Sequence, residues 1–165
     1  MKKDKQTILA YAAGMIDGEG CICVYKKKIR NGKYAGILQN YHLQVIVTQK
    51  DGRIIDWLIG NFGGSAYLHW KGTNTGYSHE WVLNYQKAAE FLRQILPFLI
   101  YKKPQAEIAI RFQERIKVGK MKLSEHELSI RNNFYEELKK LKHIATYSKQ
   151  PNIQNKVNSA ALTTK

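Results

Sequence analysis

The sequence predicts an α+β domain in which four antiparallel strands carry helices on one face, with two more helices behind them. Three observations predict it. Two stretches, near 21–27 and 38–48, alternate apolar and polar side chains with a period of two. Four others space their apolar residues three and four apart, as a helix with one buried face requires. Gly, Asn and Pro sit at the junctions between them. With 165 residues, 44% hydrophobic and 24% charged, the chain is long enough for one core of ordinary size.

The elements follow in order. Thr7 is placed to cap a helix through Ile8–Ile16, in which Ala10, Ala13, Gly14 and Asp17 share a face of small residues. Gly18 and Gly20 end it. In the strand that follows, Ile22 and Val24 face one way, and Cys21, Cys23, Tyr25 and Lys27 the other. Asn31-Gly32 marks a turn. In the next strand Leu43, Val45 and Val47 oppose His42, Gln44, Ile46 and Thr48. Each strand thus pairs an aliphatic face with a wet one, as a sheet does when one side meets a core and the other a ligand. Asp51 caps a helix over Ile54–Ile59, and Gly63-Gly64 opens a strand near 65–71. The loop 72–76 leads to a strand near 77–83. A helix over about 85–96 is stopped by Pro97, and Pro104 starts another. Ser124-Glu125-His126-Glu127 has the form of a capping box and opens the last helix. The domain is expected over 1–146, with 147–165 a polar tail.

Charge gives the first functional clue. Lys and Arg number 27 against 13 Asp and Glu, a formal net charge of +14. The excess is spread along the chain: residues 1–110 and 111–165 each carry +7. Residues 21–53 hold seven basic side chains and one acid, Asp51. This balance favours a polyanionic partner. No apolar run is long enough to span a bilayer, and no signal peptide is recognisable, so the expected setting is intracellular, without a membrane: cytoplasm, or an organelle that encodes the protein. Cys21 and Cys23 are too close in sequence for an ordinary structural disulfide, and the five histidines lack zinc-ligand spacing to them.

Residues 12–20, Ala-Ala-Gly-Met-Ile-Asp-Gly-Glu-Gly, place two carboxylates at the C-terminal end of a helix. That end is partially negative, so acids there either stand in solvent on a glycine-rich turn or hold a cation. Carboxylate and carbonyl oxygens suit Mg²⁺ or Ca²⁺. An EF-hand is excluded, because the twelfth position from Asp17 is Lys28.

This stretch resembles the motif of the LAGLIDADG homing endonucleases, and the likeness extends along about residues 7–118. Val47-Thr48-Gln49-Lys50 with Arg53 is similar to a segment of single-motif members, and Pro97-Phe98-Leu99-Ile100-Tyr101-Lys102-Lys103-Pro104-Gln105-Ala106 to the segment bearing an active-site lysine. The resemblance implies the αββαββα fold with a saddle-like sheet. One copy of the motif implies a homodimer whose first helices pack at the interface through Ala10, Ala13, Gly14 and Asp17. It implies Glu19 and the Gly18 carbonyl as ligands of Mg²⁺ (Ca²⁺ or Mn²⁺ could occupy the same sites), with Gln49 orienting the attacking water. Arg53 and Lys102 would offset charge on the scissile phosphate. Read alone, those two cations are also ordinary helix-end charges, and a slip of one residue exchanges Lys102 with Lys103. Family members often have Asp where this chain has Glu19.

The implied activity is a metal-dependent staggered double-strand break in a long, nearly palindromic DNA site, leaving 5′-phosphate and 3′-hydroxyl ends. The outward strand face is expected to read DNA through Cys23, Tyr25, Lys27, Asn40, His42, Gln44, Tyr67, His69 and Lys71. Lys26, Lys28, Arg30 and Lys33 would meet phosphates. The alternative on the same fold is a maturase acting on its own intron RNA, or a nucleic-acid-binding protein without catalysis.

Overall fold

The computed structural model describes residues 4–28, 39–70, 72–73, 76–116 and 124–144. The elements run α1 (Lys5–Glu19), β1 (Gly20–Lys28), β2 (Gln39–Gln49), α2 (Gly52–Phe62), β3 (Ser65–Trp70), β4 (Tyr77–Asn84), α3 (Tyr85–Ile95), a 3₁₀ turn at Leu96–Phe98, α4 (Lys103–Arg115) and α5 (Glu125–Ile144). The expected order α-β-β-α-β-β-α with two further helices is therefore found. The expected turn at Asn31-Gly32 and the tail 147–165 lie outside the described residues.

The four strands form one antiparallel sheet in the order β1-β2-β4-β3. Alternation sorts the faces as the sequence indicates. Ile22, Val24, Leu43, Val45 and Val47 are buried under the helices, and His42, Gln44, Ile46 and Thr48 are half-buried on the other side. Trp81, Phe91, Leu92, Ile95, Ala109 and Phe112 complete the core from β4, α3 and α4. Buried Trp81 donates its indole N–H to the Gly63 carbonyl at 2.7 Å, satisfying its one polar atom. Among the described residues no helix is long and apolar enough to cross a membrane.

Two expectations change. α1 runs from Lys5 to Glu19, with Asp4 at the N-cap position and no side-chain cap bond, so Thr7 and Gly18 both lie inside the helix and only Gly20 follows its end. β3 is exposed on both faces, not one. It is the outer strand beside β4, and α2 and α3 lie over β2 and β4. Trp70 shares its face with Ala66, the partner of buried Trp81, and so stands on the helix side of the sheet, its ring tilted against exposed Tyr77 with centroids 4.8 Å apart. The other terminators behave as expected. Asp51 accepts a hydrogen bond from Arg53 N at 3.0 Å, Pro104 sits in the first turn of α4, and Ser124 Oγ accepts from Glu127 N at 3.2 Å.

Candidate active site at the end of the first helix

α1 ends at Glu19, and Gly20 begins β1 opposite Val47 of β2. This register carries Glu19 to the same end of the sheet as Gln49, the last residue of β2, which pairs with His79 of β4. Gly20 permits the sharp passage: a Cβ there would lie 2.7 Å from the Ile16 Cα. Two residues past Gln49, Asp51 caps α2 and places Arg53 in its first turn. Lys102 arrives at this end from the turn before α4.

Asp17 and Lys102 interlock. The Asp17 carboxylate accepts from Ile100 N at 2.8 Å and Lys102 N at 2.7 Å. In return Lys102 Nζ donates to the Ile16 and Asp17 carbonyls at 2.8 and 2.7 Å. Each helix end thus receives the charge its dipole favours: an anion before the start of α4, a cation at the end of α1. α1 has no basic residue of its own in its last turn, so Lys102 supplies it. Burial pushes the Lys102 pKa below the ordinary lysine value, against the pull of Asp17, Cys21 and Glu19. Of the two candidate lysines, Lys102 is the half-buried one at this site, and Lys103 is exposed.

Glu19 and Gly18 are exposed. Among the described residues no three His, Cys, Asp or Glu gather as a metal cluster. One chain therefore offers one open carboxylate beside the carbonyl end of a helix. That suits a hard cation taking its other oxygens from water, phosphate or a second copy. Arg53 is exposed and turned back on Asp51, its Nε donating to both carboxylate oxygens at 3.0 Å. This bond holds the Asp51 pKa down to about 2 and raises that of Arg53.

The expected interface residues divide. Ala10 and Gly14 lie on the exposed face of α1 with Thr7 and Gly18, and a Cβ at Gly14 or Gly18 would meet nothing within 4 Å. Ala13 is fully buried in the chain's own core, and Asp17 is committed to the lock. The expected DNA face divides too. Tyr25, His42 and Gln44 share one face, and Tyr67 and His69 stand exposed on β3. Lys26 is on the opposite face: its ammonium donates to Asn132 Oδ1 at 2.8 Å and lies over the rings of Tyr41 and Tyr135. Cys23 lines a groove of about 150 Å³ against Lys139 and Lys142 of α5. Its neighbour Cys21 accepts from Lys142 Nζ at 3.2 Å. A hydrogen bond between the thiols lowers the Cys21 pKa to about 5, with help from Lys142 and against burial, and raises that of Cys23. The side chains of Lys27, Lys28 and Asn40, and residues Arg30, Lys33 and Lys71, lie outside the description. Asn84, Tyr85 and Lys142 were not anticipated: a strand-end amide, a helix-start tyrosine and a surface lysine carry no distinguishing local pattern.

Searches with the sequence find no matching family model and no matching curated protein. Comparison of the fold finds homing endonucleases. The homing endonuclease I-CvuI, solved with a DNA target in the presence of magnesium, superposes with TM-score 0.68 at 19% identity, over 93% of this chain and 92% of that one. The chain has the homing-endonuclease fold. An archaeal intron-encoded homing endonuclease complexed with DNA gives TM-score 0.69 at 20% identity, over 94% and 95% of the two chains. The LAGLIDADG homing endonuclease I-LtrWI bound to target DNA gives 0.59 at 18%, over 83% of this chain and 45% of that one. I-CvuI has also been solved with its own target and calcium.

Proposed function

We propose that the chain is a site-specific DNA endonuclease that acts as a homodimer and uses a divalent cation to cut both strands of a long, nearly palindromic site with a stagger. The reading is supported by a register that ends α1 at Glu19 and β2 at Gln49 on one end of a four-stranded sheet, with Arg53 in the first turn of the helix that follows and Lys102 bonded to the end of α1. The fold shared with DNA-bound homing endonucleases and the net charge of +14 support it.

The roles follow from chemistry. Glu19 and the Gly18 carbonyl are the oxygen donors for Mg²⁺, with Ca²⁺ or Mn²⁺ as substitutes. When bound, the cation supplies an activated water and offsets charge on the phosphate. Gln49 orients the attacking water through its amide. Lys102, fixed by two carbonyls, presents a positive charge at a set position, and Arg53 exchanges Asp51 for a phosphate oxygen. The open small-residue face of α1 lets a second α1 approach closely, bringing two Glu19 carboxylates to one axis.

The test uses the purified full chain, a pool of randomised duplexes to select a bound sequence, and that duplex as substrate. With Mg²⁺ the parent is expected to make a staggered double-strand cut that a chelator abolishes. Glu19→Gln is expected to bind but to cut ~100-fold more slowly or worse. Equal cutting by Glu19→Gln refutes the assignment. Binding without any cutting by the parent, under every divalent cation tried, leaves the RNA-maturase or inactive-binder alternative in its place.

A further inference from the structure

We propose that Tyr85, with the paired amides of Gln44 and Asn84, reads one A·T base pair in each half of the DNA site. The tyrosine ring lies on the thymine methyl and the amides meet the adenine edge. This rests on the DNA-binding reading above and goes beyond it by naming the readers and the base pair.

Regular alternation along β4 would turn Tyr85 inward, since Leu83 is buried and Asn84 lies between them. The backbone prevents this. Tyr85 has φ +52°, the one positive value at a non-glycine among the described residues. For an L-residue with a bulky ring that conformation is disfavoured, and Gly or Asn would meet the same turn at less cost. The left-handed residue throws the ring onto the outer sheet face, where it stacks on His42 with centroids 5.2 Å apart. His42 in turn lies 5.6 Å from the ring of Tyr25. A row of three rings crosses β1, β2 and the start of α3. It is not a small core, for Tyr85 is 49% exposed and Tyr25 51%. An aromatic residue held in a strained conformation and left half in water fits a contact surface better than a packing element.

The amides sit beside this row. Gln44 and Asn84 are partners in the strand register, and Gln44 Nε2 donates to Asn84 Oδ1 at 2.8 Å. Asn84 occupies the N-cap position of α3 yet makes no cap bond, because its side chain is turned to Gln44. The bond fixes both amide planes. That bond leaves Gln44 Oε1 as an acceptor and Asn84 Nδ2 as a donor, besides the second N–H of Gln44 Nε2 and the second lone pair of Asn84 Oδ1. Those complement the N6 donor and N7 acceptor of adenine in the major groove. The thymine opposite offers that groove's one apolar group, its C5 methyl, which suits a ring edge or face. An open depression of about 390 Å³, bounded by Asn84, Tyr85, Val82 and Ser65 and reaching Lys87, lies on the Asn84 side of the pair.

The experiment selects bound sequences from randomised duplexes with the full chain, then measures affinity for the parent's consensus and for the same duplex with thymines replaced singly by deoxyuridine. The parent is expected to require A·T at one symmetry-related pair of positions. Removing that thymine's methyl should weaken binding about fourfold per half-site, the change given by about 0.8 kcal/mol for one buried methyl. Tyr85→Gly suits the backbone and removes the ring; Tyr85→Asn is a second variant tolerant of the turn. Both should become indifferent to deoxyuridine there, while the share of the adenine preference carried by the Gln44 and Asn84 amides remains. Gln44→Ala should relax the adenine preference at the same pair by about fivefold or more. Indifference of the parent to deoxyuridine at every thymine overturns the inference. So does an equal weakening of Tyr85→Gly at all positions. A deoxyuridine loss that persists undiminished in Tyr85→Gly overturns this inference alone. A parent that enriches no duplex sequence overturns it together with the proposed function.

Discussion

Replacing Asp17 with Ala removes both acceptors that hold the turn before α4. Two backbone N–H groups, Ile100 N and Lys102 N, lose carboxylate partners at 2.8 and 2.7 Å. A hydrogen bond to a charged group contributes roughly 1.5–3 kcal/mol. The Ile100 bond is exposed, so water replaces much of it, and the two together come to about 2–4 kcal/mol. For a chain of this length about 1 kcal/mol moves the melting temperature by roughly 2–4 °C, so Asp17→Ala should melt ~4–16 °C below the parent. Asp17→Asn keeps one carbonyl acceptor and should fall between them. The assay is thermal melting by circular dichroism, with Lys102→Met and the double variant completing a cycle. Both residues tie α1 to the 100–103 turn, so the two losses should be less than additive, with a coupling of about 0.5–3 kcal/mol. A melting point for Asp17→Ala indistinguishable from the parent's would refute the lock.

Two further outcomes are expected. Gly20→Ala sets a Cβ 2.7 Å from the Ile16 Cα and 2.8 Å from the Ile16 carbonyl oxygen, backbone atoms that cannot swing aside. It should cost about 1–3 kcal/mol in urea unfolding, and because the clash lies between α1 and β1, cutting should fall further than duplex binding. Burial lowers the folded pKa of Lys102, so it releases its proton below the ordinary 10.5 as pH rises. Cutting should therefore decline on the alkaline side before a free lysine would titrate. Lys102→Arg should remove that limb even if its overall rate is lower.

Strand alternation made the sheet legible. Ile22, Val24, Leu43, Val45 and Val47 lie where period two puts them, because a sheet with one covered face ties each residue's environment to its parity. Asp51, Pro104 and Ser124 were legible because caps are local chemistry. The rest depends on partners distant in sequence. Lys26 looked like a phosphate contact until Asn132, 106 residues on, claimed it. Ala13 looked like an interface residue because helical spacing alone does not say which of two small faces meets the core. Tyr85 was invisible because a left-handed tyrosine follows from the strand-to-helix junction and not from its own propensity. At the candidate site, the position of Lys102 was legible, but its clasp on two α1 carbonyls was not.

The clasp also orders events during synthesis. Asp17 and Lys102 are 85 residues apart. β1 and β2 can pair and present their outer face as soon as they leave the ribosome, since their contacts are local. The lysine that clasps the end of α1 arrives only after two more strands and two more helices have been made. A nascent or C-terminally shortened chain can thus display the outer face of β1 and β2 while the end of α1 still lacks its cation.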